Sequence, residues 1–297
     1  MRSLVAAVLS LALVAPAATA APKRSIADAP IRTADAGQGT IGYRSVGQGR
    51  PLVLVMGLGG TMDAWPPSFV DALAKRRRVI TLDNEGIRRT TLGAGTLTIG
   101  RMADDVASLI RALRLRRPDV LGWSMGGMIA QSLARQHPNR VRRLVLCATA
   151  PGNGRATLPA PDALGGNVFQ LLFPPGQEGA SQRFIREITS YRNASPAVPP
   201  EIRRAQLAAS ASWMVGGDPS GRPLGRLRLP VLVGGGALDR LLPVANQRYL
   251  ARALPNARLR EYGDAAHGFL FQHQREFLRR IQRFFRAKAA RLGSPPR

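Results

Sequence analysis

Gly122-Trp123-Ser124-Met125-Gly126-Gly127 is the stretch on which the reading of this 297-residue chain turns. Before it, Arg117 to Gly122 is short and ends in apolar residues, as a buried strand does. After it, Met125 to Gln136 is rich in Ala, Met, Ile and Leu at helical spacing. Ser124 therefore falls on a strand-to-helix turn. A turn this sharp holds its central residue at strained dihedrals and brings strand and helix close together, so the flanking positions must lack bulk. Gly122, Gly126 and Gly127 meet that demand. The plain alternative is a Gly-rich turn with a solvated serine; a strand before and a helix after favour a serine presented for chemistry.

A serine hydroxyl is a poor nucleophile unless a base takes its proton during attack, and histidine is the usual base. The chain has three histidines. His137 precedes Pro138 at a helix end, where capping carbonyls is its simplest role, and His273 falls in the closing helix. His267 follows the last strand-like run, on the edge where strand ends converge, and is the candidate base. Its partner carboxylate, which fixes the tautomer and stabilises the imidazolium, is read as Asp239 at the end of the run Pro230 to Gly234 with its glycine tail. Asp264, three residues before His267, competes for that role or simply shapes the turn. Attack on a carbonyl creates an oxyanion, and Met125, at the start of the helix, offers a backbone N–H to it.

These residues, with Met56-Gly57-Leu58-Gly59-Gly60, resemble an α/β-hydrolase from about residue 40 to 286, and the order Ser, Asp, His is that family's order. The resemblance implies a mostly parallel eight-stranded sheet flanked by helices, with a helical cap insertion. It also implies that the Leu58 N–H is the second oxyanion donor, since relatives carry His-Gly-x-Gly where this chain has Met56 to Gly59. A serine hydrolase acting on an ester-type small molecule, with no metal and no organic cofactor, is the implied activity. Ser124 argues against the dehalogenase branch, which uses Asp as nucleophile; cofactor-free haloperoxidase-like members share the elbow and remain compatible. A lyase or a ligand-binding member is the alternative. One segment departs from the family: Asp83 to Thr90 carries Glu85 where relatives have Arg and Arg88 where they have Gly, which leaves the local turn open.

The remaining chain fits that outline. Alternation marks a strand at Thr40 to Val46, apolar runs mark Pro51 to Met56, Arg78 to Leu82 and Val141 to Ala148, and Ala257 to Tyr262 is read as the last strand. Thr98 to Leu115 is the clearest amphipathic helix. Between residues 152 and 222 the strand rhythm stops and helix-like pieces separated by Pro-rich turns form the expected cap. Its apolar residues Phe169, Leu172, Phe173, Trp213 and Met214 are candidates for a substrate pocket, with Trp123 beside the serine; ordinary packing within the cap accounts equally well for each. The core is then 40–151 and 223–290, preceded by an extended leader at 21–39 and followed by a basic tail at 291–297.

Met1-Arg2, the apolar run Leu4 to Val14 and Ala18-Thr19-Ala20 read as a cleavable signal peptide over residues 1–20, so an exported location is expected. Cys147 is the only cysteine, lies in an apolar strand, and is read as a packing residue. The formal net charge is +25, and 40 of the 43 basic residues are arginine. They are scattered and no nucleic-acid-binding signature accompanies them, so a solvated basic shell is expected rather than a specific nucleic-acid partner. Such a shell should adsorb to anionic vesicles at low salt and release as the Debye length shortens to about 8 Å at physiological ionic strength, while turnover of a neutral ester stays level. Cosedimentation and initial rates across a salt series check this, and a steep loss of turnover without unfolding would place arginines at the active site instead.

Overall fold

The structure, a computed structural model, describes residues 24–37, 39–163 and 168–287. In chain order these form β1 (Arg32–Asp35), β2 (Thr40–Val46), β3 (Pro51–Val55), α1 (Pro67–Ala74), β4 (Arg78–Leu82), α2 (Ile99–Ala112), β5 (Asp119–Trp123), α3 (Met125–Gln136) and β6 (Arg143–Cys147). There follow α4 (Val168–Leu172), α5 (Glu178–Ile188), α6 (Pro200–Met214), β7 (Val231–Gly236), α7 (Ala245–Ala253), β8 (Ala257–Tyr262), α8 (Phe269–Gln272) and α9 (Gln274–Arg286). One eight-stranded sheet carries them in the order β1-β2-β4-β3-β5-β6-β7-β8. Only β2 runs against the other strands, being antiparallel to both β1 and β4.

Alternation along the central strands sends side chains to two separate cores. Leu52 and Leu54 of β3 pack with Trp65, Phe69, Phe269, Phe277 and Ile281 on one face. Val53 and Val55 pack with Met102, Val106, Met128 and Ile129 on the other. Both faces of the central parallel strands are thus covered, which is why β3, β5 and β6 read as nearly unbroken apolar runs, whereas β8 at the sheet edge does not. Cys147 lies in the first of these cores, and burial pushes its thiol well up. The amphipathic stripe of α2 is buried at Ile99, Met102, Val106, Leu109 and Ile110, and its start is capped by the Thr98 hydroxyl accepting from the Arg101 N–H at 3.1 Å.

Two expectations need correction. The segment 21–39 is no simple extended leader: Arg32–Asp35 is an edge strand paired to β2 from Arg32↔Tyr43 to Asp35↔Thr40. Ahead of it, Ile26 is fully buried and its N–H donates to Asp71 Oδ1 at 2.9 Å. The strand escapes a pattern-based reading because only Ala34 of its four residues is buried, so the backbone ladder defines it. The closing helix is also interrupted, at His273, into α8 and α9. Residues 1–20 and 291–297, expected to be signal peptide and tail, lie outside the described residues.

After β6 the chain leaves the sheet for the cap helices α4, α5 and α6, and returns in β7. The departing Asp83–Thr90 loop closes differently from its relatives' pattern: Arg88 takes φ 50° in the position where they carry Gly. Glu85 turns inward to pair with Arg101 and accepts the Gly93 N–H at 2.7 Å.

At the junction of β5 and α3 the backbones touch. A Cβ on Gly122 would lie 2.1 Å from the Gly126 carbonyl oxygen, and one on Gly126 would lie 2.0 Å from that of Val55. Gly122→Ala should therefore cost about 3 kcal/mol or more, the upper range of overpacking. Gly263→Ala, where nothing lies within 4 Å of the added carbon, should change stability by less than about 0.5 kcal/mol. Urea unfolding of both variants checks the contrast.

Candidate active site

Ser124 sits between β5 and α3 with φ 59° and ψ −125°, a combination seldom adopted by residues with a side chain. Its N–H donates to the Cys147 carbonyl at 2.9 Å, and its own carbonyl accepts from the Gly127 N–H at 2.9 Å, so the strain is held from both sides. The side chain is half-buried and lies against the backbone of Gly57: a Cβ there would come within 2.9 Å of Ser124 Cβ and 3.4 Å of Oγ. The sharp turn thus brings the serine beside the loop that carries Leu58. Among the described residues, no hydrogen-bond acceptor takes up the N–H of Leu58 or of Met125. Two backbone donors are therefore free next to the serine, one of them at the positive end of α3.

His267 and Asp239 are both buried and joined, Nδ1 to Oδ2, at 2.8 Å. An ionised carboxylate only accepts, so Nδ1 carries the hydrogen and Nε2 is left with its lone pair free to accept a proton. The other carboxylate oxygen, Oδ1, accepts the N–H groups of Leu241 and Leu242, each at 2.9 Å, which locks the acid in place. The histidine is held as firmly. Trp123 donates its indole N–H to the His267 carbonyl at 3.1 Å and lies 5.5 Å, centroid to centroid, from the imidazole. The Gly268 N–H donates 2.7 Å to the Leu172 carbonyl, tying the histidine turn to α4 of the cap.

The competitors are placed elsewhere. Asp264 accepts from His273 at 2.8 Å on the surface, and His137 pairs with Asp104 at 2.7 Å rather than capping carbonyls with its ring. Of the expected pocket residues, Phe173 packs on the Gly268 turn and lines a cavity of about 990 Å³ shared with Phe169, Leu238, Asp239 and Ala266. Trp123 supports the histidine. Trp213 does not line a pocket: it is fully buried, its indole N–H donates to the Ala150 carbonyl at 3.0 Å, and its ring fills the space a side chain at Gly152 would need.

Three polar features along the Leu58 loop and the turn that follows it escape a reading of the sequence. Asp83, which burial raises to about 7, accepts the Met62 N–H at 2.7 Å and closes the loop beside Ser124. Asp63 forms a buried pair with Arg44 at 2.7 Å. Gln206, on α6, accepts the Gly59 N–H at 2.9 Å. Each pairing joins segments distant in the chain, and no local pattern marks it. No group of three or more His, Cys, Asp or Glu side chains is gathered for a metal among the described residues.

Residues 50–274 match the model of the alpha/beta hydrolase fold family. The chain belongs to that family. It is similar to "Putative carbamate hydrolase RutD" of Caulobacter sp. (strain K31), 30% identical over 80% of this chain and 91% of that protein. It is 32% identical to "Putative non-heme bromoperoxidase BpoC" of Mycobacterium tuberculosis over 82% of this chain and 97% of that one. With a pimeloyl-[acyl-carrier protein] methyl ester esterase of Aeromonas hydrophila it shares 29% identity over 82% of this chain and 99% of the relative. Among solved structures, an alpha/beta hydrolase fold protein from Chitinophaga pinensis superposes with a TM-score of 0.79 at 26% identity, covering 89% of this chain and all of that one. As a member of this family the protein is an α/β-hydrolase enzyme.

The two acids give opposite expectations. Asp239→Asn should lower kcat by roughly 10³–10⁴-fold, the scale for loss of a triad carboxylate, because the wrong tautomer then faces the serine. Asp264→Asn should leave kcat within about threefold, since Asp264 serves a surface histidine. Steady-state kinetics on an activated ester separate the outcomes.

Proposed function

We propose that the protein is an exported serine hydrolase that cleaves a carboxylic ester, or a related lactone or thioester bond, through an acyl-Ser124 intermediate. The observation that carries this reading is the buried Asp239–His267 pair at 2.8 Å, held through the Trp123 indole to the residue before a serine at φ 59° that lies beside two unoccupied backbone donors. In the acylation step Ser124 Oγ attacks the carbonyl carbon as its proton passes to His267 Nε2. The carbonyl oxygen takes the negative charge and is met by the N–H groups of Leu58 and Met125. Collapse expels the alcohol, which leaves with the proton from Nε2. Water then repeats the sequence on the acyl-enzyme, freeing the acid and restoring Ser124.

Ester chemistry is favoured by the methyl ester esterase among the relatives, and the carbamate hydrolase name lies within the same acyl-transfer class. Export rests on the residue 1–20 pattern, and the high arginine content suits a protein that meets anionic envelope surfaces. A fluorophosphonate should label Ser124 and no other serine, as seen by intact mass and peptide mapping. Ser124→Ala should abolish both labelling and ester turnover. Undiminished turnover by that variant would refute the mechanism, and labelling without turnover of any ester would favour a ligand-binding or lyase role.

A further inference from the structure

The loop that bears Leu58 is held at three places. At its start, the Asn84 side-chain amide donates to the Met56 carbonyl at 3.0 Å. At its end, the Met62 N–H donates to Asp83. Both tethers come from the Asp83–Asn84 pair at the carboxyl end of β4, within the sheet domain. The middle is held from the other side: the Gly59 N–H donates 2.9 Å to Oε1 of Gln206, which belongs to the cap helix α6.

Gly57 to Gly60 is a tight turn, closed by the Gly60 N–H on the Gly57 carbonyl at 3.3 Å, with Gly59 at φ 71°. That positive φ at the third position marks a turn whose central peptide, Leu58–Gly59, is the one free to rotate. Its N–H is the group that Gln206 holds. Rotation of that peptide changes Leu58 ψ and Gly59 φ and loosens the turn as a whole, so that the adjoining Gly57–Leu58 peptide, whose N–H is the proposed oxyanion donor, is no longer held in one orientation.

Gln206 has no other visible reason to be polar. It is fully buried, and its Nε2 finds no partner. A buried amide left half-satisfied is unfavourable, and an apolar side chain would fill the same space without that penalty. Neighbours on the same helix add shape but no polar hold: the Arg203 stem lies along Gly59, and Ile202 packs over Gly86.

We propose that Gln206 is a positioning residue through which seating of the cap sets the oxyanion loop, so that the two N–H donors converge only when α6 is docked. This rests on the serine-hydrolase reading above. A cap displaced for substrate entry withdraws Oε1 from Gly59 and loosens the Leu58 donor, and cap closure over a bound substrate restores it. Catalysis is thereby linked to closure without any cap group touching the reacting atoms.

The test compares wild type with Gln206→Met, which keeps the length and removes the acceptor, and Gln206→Asn, which keeps the amide and withdraws it by one methylene. Both should lower kcat for a small soluble ester on the order of 10- to 100-fold, the scale for a slightly misplaced catalytic group, with KM changed less than about twofold. Affinity for a boronic acid that mimics the tetrahedral intermediate should fall in the same proportion. Hydrogen exchange at the Gly59 amide should be protected in the wild type and faster in the variants, with unfolding midpoints reported alongside. Wild-type kcat in either folded variant, a loss confined to KM, or an unprotected Gly59 amide in the wild type would overturn the proposal; the last of these needs no variant to fold. Failure of the underlying reading looks different: the wild type itself would then neither turn over esters nor label at Ser124.

Discussion

Everything at the candidate site depends on one close approach, that of β5, α3 and β3 around Ser124. Holding a residue with a side chain at φ 59° and ψ −125° costs on the order of 1–3 kcal/mol, so the surroundings must over-determine it. They do so by bringing backbone against backbone: Gly122 against the Gly126 carbonyl, Gly126 against the Val55 carbonyl, and Gly127 against the Thr149 side chain. The force behind that approach is burial on both sheet faces, each fully buried Leu, Ile or Phe contributing about 1.5–3 kcal/mol. Strain at the serine is thus sustained by two cores that flank it, one containing Trp123 and the other Met125. The same contact has chemical consequences, because a helix that begins at Met125 directs its first free N–H beside the serine oxygen.

All three histidines of the chain have an Asp partner at 2.7–2.8 Å, yet the pairs differ in what surrounds them. His137–Asp104 and His273–Asp264 have acids more than half exposed, where water screens the attraction and competes for every hydrogen bond. In His267–Asp239 both side chains are almost wholly removed from solvent, and the acid's remaining oxygen is occupied by two backbone N–H groups. Only there does the pairing fix one tautomer and one ring orientation. Burial, not pairing, distinguishes the candidate base from its two look-alikes.

The sequence made legible whatever is encoded locally. Apolar runs marked the central strands, alternation marked β2, and the glycines around Ser124 marked the elbow. Chain order put Asp239 and His267 beyond the carboxyl ends of β7 and β8, where the structure pairs them at 2.8 Å. Arg32–Asp35 was missed because its membership in the sheet is a matter of backbone pairing, with a single buried side chain to betray it. Trp213 was misplaced for a different reason: a large aromatic in a cap suits a pocket wall as well as a core, and only its contact with Gly152 and Ala150 decides between them. Gln206, Arg44 and Asp63 left no trace at all. Their partners lie on other segments, and a polar residue on a helix or strand reads as solvated until the opposing group is known.

Those unread polar residues share a location, the seam between cap and sheet. Arg44 binds Asp63 through two nitrogens, at 2.7 and 3.1 Å, and also donates to the carbonyls of Ala29, Arg192 and Asn193. Asp63 in turn accepts the Ser195 N–H at 2.7 Å. A buried ion pair gains little net stability, since desolvating both charges offsets most of their attraction. Its effect is directional: the fork of the guanidinium satisfies carbonyls of the 192–193 segment in one arrangement only, whereas an apolar seam of equal area would tolerate sliding. Asp63 lies in the short helical turn that follows the Leu58 loop, so the ion pair fastens the cap beside the segment whose middle Gln206 tethers. A seam built from polar contacts therefore gives the cap one seat, and that seat is referenced to the loop on which the proposed oxyanion donor stands.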